Sequence, residues 1–336
     1  MTLHLHGIGH FHPANEITNA FLESLEIGTS DEWIRERVGI LTRRTALPLD
    51  YIRETRNRSL AAAVEASDMS IAQMGAAAGR HALERAGVAA ADVGMVVASS
   101  CAPDYIVPAE ACRIAAELGV EAPAYDLSSA CTGLFANLHA LQRMRPETLP
   151  PYVLVVCAEA MTRTIDYSDR SSAVLWGDAS VAMVVSTQVE GRARLLETTL
   201  DSDPAGYDKV VVPRLGHFTQ EGRNVQMFGI RKSSMMLRAL QQRYGRPGRR
   251  MHFVGHQANL RMLEAICRQC GITAEDHHYN VDSFGNTAGA SGATVLSQRW
   301  DEWGDGEDVA ALGVGAGLTW GSYLLRFGAD PDPAPA

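Results

Sequence analysis

Cys131 lies in the run Tyr125-Asp-Leu-Ser-Ser-Ala-Cys-Thr-Gly-Leu134, where an apolar, strand-like approach turns at once into a helix-periodic stretch continuing through Leu138 and Leu141. A thiol so placed stands at a helix N-terminus, whose unpaired N–H groups and positive dipole end favour thiolate, the reactive form. An arbitrary cysteine is more often a small buried hydrophobe. The position tips the balance, and Gly133 permits the close backbone approach by which neighbouring amides hold an oxyanion. Far downstream come Gly255-His256-Gln-Ala-Asn259 and Gly285-Asn286-Thr-Ala-Gly-Ala-Ser291. A thioester nucleophile needs partners that take its proton or stabilise charge on a carbonyl, and neutral imidazole plus carboxamide do both without adding negative charge. Singly, His256 is an ordinary strand-end histidine and Asn286 an ordinary turn residue. Together, Cys131, His256 and Asn286 make a candidate acyl-transfer site.

The elements that must position these residues alternate along the chain. Buried strands are predicted at Gly94–Ser99, Tyr152–Ala158, Ser180–Ser186, Met251–Gly255 and Val309–Val314. Helical periodicity falls at about 70–87, 108–118, 132–144, 231–244, 258–270 and 288–300, and the alternation indicates an α/β fold. The two halves share an order: helix, buried strand, short polar turn with a candidate catalytic residue, helix. This suggests duplication, with an N-terminal half over 1–188 carrying the cysteine and a C-terminal half over 189–330 carrying the histidine and asparagine. The proline-rich tail, 331–336, is expected to be disordered.

The composition of these 336 residues, 46% hydrophobic, supports a large core. A net charge of −9 argues against a nucleic-acid surface. No apolar run reaches the roughly 18 residues of a membrane span and no signal segment opens the chain, so a cytoplasmic location is the default. Six irregularly spaced cysteines fit reduced core thiols, and disulfides are not expected. His4, His6, His10 and His12 alternate like strand ligands but lack a carboxylate or cysteine at useful spacing, so no metal is expected. Cys267-Arg-Gln-Cys270 falls within a helical pattern and is better placed on a helix face than in a redox motif. Gly313, Gly315 and Gly317 lack the spacing and the acidic partner of a dinucleotide fingerprint.

Six stretches in order resemble the β-ketoacyl-acyl carrier protein synthase III family of thiolase-superfamily condensing enzymes. They are Thr29–Gly39, Asp126–Gly133, Trp176-Gly-Asp178, His256–Arg261, Phe284–Ser291 and Gly317–Ser322. The resemblance implies a five-layered αβαβα thiolase-like fold of two similar halves, a homodimer, and ping-pong decarboxylative Claisen chemistry. By it, Cys131 takes an acyl group from acyl-CoA, and His256 and Asn286 then bind the thioester carbonyl of malonyl-acyl carrier protein. The backbone N–H groups of Cys131 and Ala316 match the family's oxyanion hole. Trp33, Arg37 and Arg170 match positions that hold coenzyme A, and Asn259 matches one lining the pantetheine tunnel. Arg231, Lys232, Arg261 and Arg268 form a basic patch for an acidic carrier protein, with a solvated helix face as the plainer alternative. Coenzyme A thioester is implied as substrate, with no tightly bound cofactor.

The pattern also departs from the family. A segment around Leu47–Ser59 is inserted. Val107 stands where the family often has a phenylalanine that closes the acyl pocket across the dimer, which predicts a primer bulkier than acetyl. Ala316 stands in a run of glycines. No cysteine occurs in Gly313–Leu318, where thiolases carry a second catalytic thiol, so malonyl-type activation is favoured. The remaining alternatives are an acyltransferase moving the acyl group to an oxygen or nitrogen acceptor, and a non-catalytic subunit, against which the intact Cys131, His256 and Asn286 speak.

Overall fold

The computed structural model describes residues 2–328, so the proline-rich tail lies outside the described residues. Nine strands form one continuous order. They are β1 (Leu3–Phe11), β2 (Val93–Ser99), β3 (Ala124–Asp126), β4 (Tyr152–Glu159), β5 (Ala179–Ser186), β6 (Ala193–Ser202), β7 (Arg250–Gly255), β8 (Glu307–Gly315) and β9 (Thr319–Phe327). The helices used below are α1 (Asp31–Arg37), α2 (Ile71–Ala86), α3 (Glu110–Leu118), α4 (Gly133–Arg143), α5 (Gly222–Tyr244), α6 (Leu260–Cys270) and α7 (Ser291–Gln298).

The spatial order is β7-β8-β9-β6-β1-β5-β4-β2-β3. Only Leu3 to Leu5 pair with Ala193 to Leu195 at the β1–β6 junction, so two leaves meet there. In the first leaf β1 is antiparallel to β5 and β5 to β4, while β4, β2 and β3 run parallel. The second leaf repeats those senses, β6 antiparallel to β9 and β9 to β8, with β7 parallel to β8 and a parallel bridge from Phe253 to His277 in the fifth place.

Helices α4 and α7 each touch strands of both leaves, α2 and α3 cover the outside of the first, and α5 and α6 cover the outside of the second. The result is five layers, α/β/α/β/α. Leu134, Phe135, Leu138 and Leu141 of α4 and Val295 and Leu296 of α7 fill the middle core with both leaves. Helix α2 starts with a Ser70–Gln73 capping box and ends at Gly87 in the left-handed region. Its backbone lies so close to β1 that a side chain at Gly7 or Gly9 would strike Ala82 or Ala78.

The anticipated strands and helices are present with small shifts at their ends, and α5 begins nine residues earlier than the periodicity gave. The insertion at 47–59 is ordered. It holds a helix, Leu49–Thr55, and the buried Asn57, whose amide donates to the carbonyls of Arg163 and Ile165 at 2.8 Å each.

Candidate active site

Cys131 and His256 each follow the C-terminal end of a strand, and Asn286 follows a short helix, Val281–Phe284. Cys131 stands between β3 and α4, two residues before the helix begins. Gly133 N–H donates to Ala130 O at 2.8 Å, and Ala130 takes φ 45° to start that turn. Such a conformation is costly for a residue with a Cβ and recurs at functional sites. His256 directly follows β7, and the Asn259 side chain caps α6 by accepting from Met262 N–H at 2.8 Å. Asn286 is fixed through its backbone, its N–H donating to Leu175 O at 2.8 Å and its O accepting from Gly177 N–H at 3.0 Å. The Trp176-Gly-Asp178 motif therefore pairs with the asparagine loop. Asp178 itself is buried and accepts from the N–H groups of Ala46 and Thr162.

Cys131, His256, Asn286 and Ala316 line one cavity of about 310 Å³, together with Trp33, Arg37 and Asn259. Trp33 is half-buried and Arg37 exposed, so the cavity runs from the surface helix α1 to the thiol. Its walls include Val38, Val225, Phe228, Met262 and Leu318.

The hydrogen bonds orient both polar partners. Ser291 Oγ accepts from Gln257 N–H at 3.3 Å and lies 2.9 Å from His256 Nδ1. The Ser291 hydroxyl holds Nδ1, and the tautomer in which Nδ1 accepts carries its ring proton on Nε2. Asn286 Oδ1 accepts from Ala288 N–H at 3.0 Å, which leaves its NH₂ as the free end. An imidazole N–H and an amide N–H beside one thiol can bind a thioester carbonyl and stabilise negative charge on it.

The backbone near Ala316 is also held. A side chain at Gly315 would sit 3.1 Å from Cys131 N, so the end of β8 lies against the nucleophile's amide. Thr319 Oγ1 donates to Ala316 O at 3.0 Å and contacts Thr132 Oγ1 at 2.8 Å, tying Ala316 to the residue after Cys131.

The Cys131 thiol is held well below the usual cysteine range. A hydrogen bond with the Cys101 thiol contributes most, and the bond to His256 acts in the same direction, against opposing burial. The sequence pointed to the helix N-terminus as the cause, yet the larger influence is a second thiol that looked like a core cysteine. Behind it, Glu159 is fully buried. Its carboxyl accepts from Cys101 N–H at 2.8 Å and from Gly289 N–H at 3.3 Å, and burial pushes its pKa up to about 8. Ser291, Glu159 and Cys101 were not singled out from the sequence. An acidic residue ending an all-apolar strand, as Glu159 ends β4, was the available signal.

The remaining candidates are distributed around this cavity. Arg37 Cζ and Arg170 Cζ lie 5.8 and 5.0 Å from the Trp33 ring centroid. Arg170 is not a lining residue and donates to Gly28 O. Lys232 Nζ lies 3.4 Å over the Trp320 ring, and Arg231 Cζ 5.9 Å from Phe228, a cavity-wall residue. Arg261 donates to the carbonyls of Glu36 at 3.1 Å and Arg35 at 2.9 Å, and pairs with Glu264. Arg268 is exposed on the last turn of α6. Val107 is outside the cavity and 78% exposed, in line with Tyr105 and Ile106. None of residues 47–59 lines the cavity.

The N-terminal histidines are engaged locally, His10 Nδ1 at 2.8 Å from Ser297 Oγ and His12 stacked on Phe284. All six cysteines are free thiols. No helix among the described residues is long and apolar enough to cross a membrane.

Comparison with known proteins matches this architecture from end to end. The family models for 3-oxoacyl-[acyl-carrier-protein] synthase III and for its C-terminal region match residues 125–204 and 241–327. The β-ketoacyl-[acyl-carrier-protein] synthase III of Oceanobacillus iheyensis is 33% identical over 333 residues, covering 98% of this chain and 100% of that one. The crystal structure of 3-oxoacyl-(acyl carrier protein) synthase III from Pseudomonas aeruginosa superposes with a TM-score of 0.84 at 30% identity, over 99% of this chain and 100% of that one. A priming β-ketosynthase from the R1128 polyketide biosynthetic pathway has a TM-score of 0.82 at 29% identity, over 98% and 97%. Similarity of this extent, over a five-layered fold that carries the motifs in the same order, means that the chain belongs to the 3-oxoacyl-[acyl-carrier-protein] synthase III family.

Proposed function

We propose that this protein is a β-ketoacyl-acyl carrier protein synthase III that starts acyl chains for fatty-acid or related specialised biosynthesis. The Cys131 thiolate attacks the thioester carbonyl of an acyl-CoA, the N–H groups of Cys131 and Ala316 hold the oxyanion, and coenzyme A leaves as the thiol. Malonyl-acyl carrier protein then enters. The N–H donors of His256 and Asn286 hold its thioester carbonyl, so that loss of carbon dioxide leaves an enolate bound at that oxygen. The enolate carbon attacks the acyl-cysteine and releases the 3-oxoacyl product and the thiol. No tightly bound cofactor is needed for these steps.

The observation that carries this reading is one cavity lined by Cys131, His256 and Asn286, in which Ser291 holds His256 Nδ1 and Ala288 N–H occupies Asn286 Oδ1. The relatives matching over the full chain are named as β-ketoacyl- or 3-oxoacyl-[acyl-carrier-protein] synthases, which favours carbon–carbon bond formation over transfer to oxygen or nitrogen. In this proposal the first half of the chain, 1–188, supplies the thiol and the second, 189–330, the two donors. Trp33, Arg37 and Arg170 hold the nucleotide end of coenzyme A, and Asn259 flanks the pantetheine arm. Arg231, Lys232, Arg261 and Arg268 face the acidic carrier protein. The enzyme works as a homodimer in which Val107 of one protomer bounds the acyl pocket of the other.

Intact-mass measurement after incubation with a panel of acyl-CoA thioesters tests the first half-reaction. Wild type is expected to gain one acyl group and Cys131→Ala none. Labelled acyl transfer to Cys131→Ala would refute the assignment. His256→Ala and Asn286→Ala are expected to acylate and yet release no carbon dioxide from malonyl-acyl carrier protein.

A further inference from the structure

The inserted segment 47–59 lines no part of the cavity, yet Asn57 within it is fully buried and takes a left-handed backbone with φ 56°. Asparagine tolerates that conformation because its short polar side chain bonds locally. Its polar groups are all engaged. The N–H donates to Thr55 Oγ1 at 3.0 Å, and Oδ1 accepts from the Tyr51 hydroxyl at 3.3 Å. Nδ2 donates to the carbonyls of Arg163 and Ile165 at 2.8 Å each, and the backbone carbonyl accepts from His217 Nε2–H at 2.7 Å.

His217 belongs to a hairpin in which Val210–Val211 pairs with Thr219–Gln220, and both Val210 and Gln220 line the cavity. The next residue, Phe218, donates its N–H to Thr164 O at 2.9 Å. Its ring stands edge-on to Trp176, a cavity-wall residue, with centroids 4.7 Å apart. The carbonyls of 163, 164 and 165 are thus taken in turn by Asn57, by the hairpin and by Asn57 again. Insertion and hairpin are fastened to the same three residues and to each other. The hairpin needs such an anchor, because strands of two residues are too short to be stable alone and its tip holds Leu215 at 96% exposure.

We propose that the insertion positions the hairpin wall of the cavity, with Asn57 and His217 as the positioning residues, and that this wall flanks the arm of the thioester substrate and not its acyl group. Val210 is half-buried and Gln220 exposed, so the hairpin borders the outer stretch of the cavity, toward the surface helix α1. With the acyl carbon at Cys131, that stretch takes the arm. The identity of the arm rests on the proposed function; the clamp on the hairpin does not.

Hydrogen–deuterium exchange and acylation kinetics on the full chain test the two parts. His217→Ala removes the bond to Asn57 and changes no cavity-lining residue. It is expected to speed exchange in peptides covering 207–221 about 3- to 10-fold, the range for one hydrogen bond. The KM for acyl-CoA is expected to rise by a similar factor, equally for acetyl and longer primers, with the acylation kcat unchanged. His217→Gln keeps an N–H donor and should restore both readings. Asn57→Gly keeps the left-handed backbone and the carbonyl that His217 uses but loses the carboxamide. It is expected to loosen the hairpin together with the loop of Asp104, which Arg163 holds at 2.7 Å. Wild-type exchange of the hairpin in His217→Ala, or no recovery in His217→Gln, would overturn the clamp. Faster exchange with an unchanged KM, or a KM that rises for some primers only, would overturn the assignment of this wall to the thioester arm. Failure of any acyl-CoA to label wild-type Cys131 would count against the proposed function instead, and the exchange measurement still decides the clamp.

Discussion

At the scale of single residues, the chemistry depends on which atoms remain free once the neighbours have taken theirs. Ser291 holds His256 through Nδ1 and is itself held by Gln257 N–H, so it fixes the orientation of the ring. Ser291→Ala is expected to slow carbon dioxide release from malonyl-acyl carrier protein about ten-fold, short of the roughly 10²–10³ that losing a donor outright costs. Ser291→Thr should restore it. Acylation of Cys131 should change less in both variants, and an equal loss in both half-reactions would point to general disruption of the loop. Cys101 acts on the other partner. Its bond to Cys131 stabilises thiolate, so Cys101→Ala raises the Cys131 pKa and lowers the thiolate fraction at any pH below it. The pH profile of the acylation rate is therefore expected to move to higher pH, with wild type and variant converging in alkali. An unshifted profile would contradict the proposed cause. Cys131, His256 and Asn286 were legible in the sequence because their side-chain types and glycine-bearing contexts are unusual together. Ser291, Glu159 and Cys101 were not, since their roles arise from contacts between separate segments, 35 residues apart for His256 and Ser291 and 58 for Cys101 and Glu159.

At the scale of elements, legibility followed the periodicity of burial. Strands β4 and β5 are almost wholly buried and read as apolar runs. Strand β9 is nearly as buried, but Gly321, Ser322 and Arg326 break its apolar pattern. Arg326 is tolerated there because it forms a two-point ion pair with the buried Asp308 on β8, at 2.9 and 2.8 Å. Strand β6 alternates partly buried and polar positions and ends exposed, so no run announced it. The start of α5 was hidden by Gly222 and Gly229, and Gly229 packs beside Met262 and Val314 of the cavity wall. Element contacts also separate two roles for Arg261, which bonds the last carbonyls of α1, the helix presenting Trp33 and Arg37. Removing those bonds loosens α1. Arg261→Ala is expected to raise the KM for acyl-CoA about 3- to 10-fold, the range for one or two hydrogen bonds, with little change in the acylation kcat. A weakened affinity for carrier protein with an unchanged KM for acyl-CoA would instead assign Arg261 to docking alone.

At the scale of the whole molecule, the repeated strand order is what lets one half supply the thiol and the other the two donors in the proposed reaction. Cys131 follows β3, and Asn286 follows the His277 bridge that takes the place of β3 in the second leaf. His256 follows β7, the counterpart of β2, so its counterpart position is the loop that carries Cys101. Folding the leaves against α4 and α7 brings all four strand ends to one side, which is why residues more than a hundred positions apart share a cavity. The apolar run Tyr105-Ile106-Val107 is left uncovered by this packing, at 55, 71 and 78% exposure. Its base is rigid. Asp104 is held by Arg163 at 2.7 Å and Arg113 at 2.6 Å, and Arg113 stacks on Tyr105. In the proposed homodimer this anchored apolar run is covered by the second copy of the chain. If Val107 then borders the partner's acyl pocket, its size sets the room for the primer. Val107→Phe is expected to shift the preference among acyl-CoA thioesters toward shorter chains, by about 10-fold or more between acetyl and a branched or longer primer. Ile106→Asp should yield monomers in sedimentation experiments, because a carboxylate buried without a partner opposes association. A dimeric Ile106→Asp would remove this run from the interface, and an unchanged chain-length preference in Val107→Phe would place the primer pocket elsewhere.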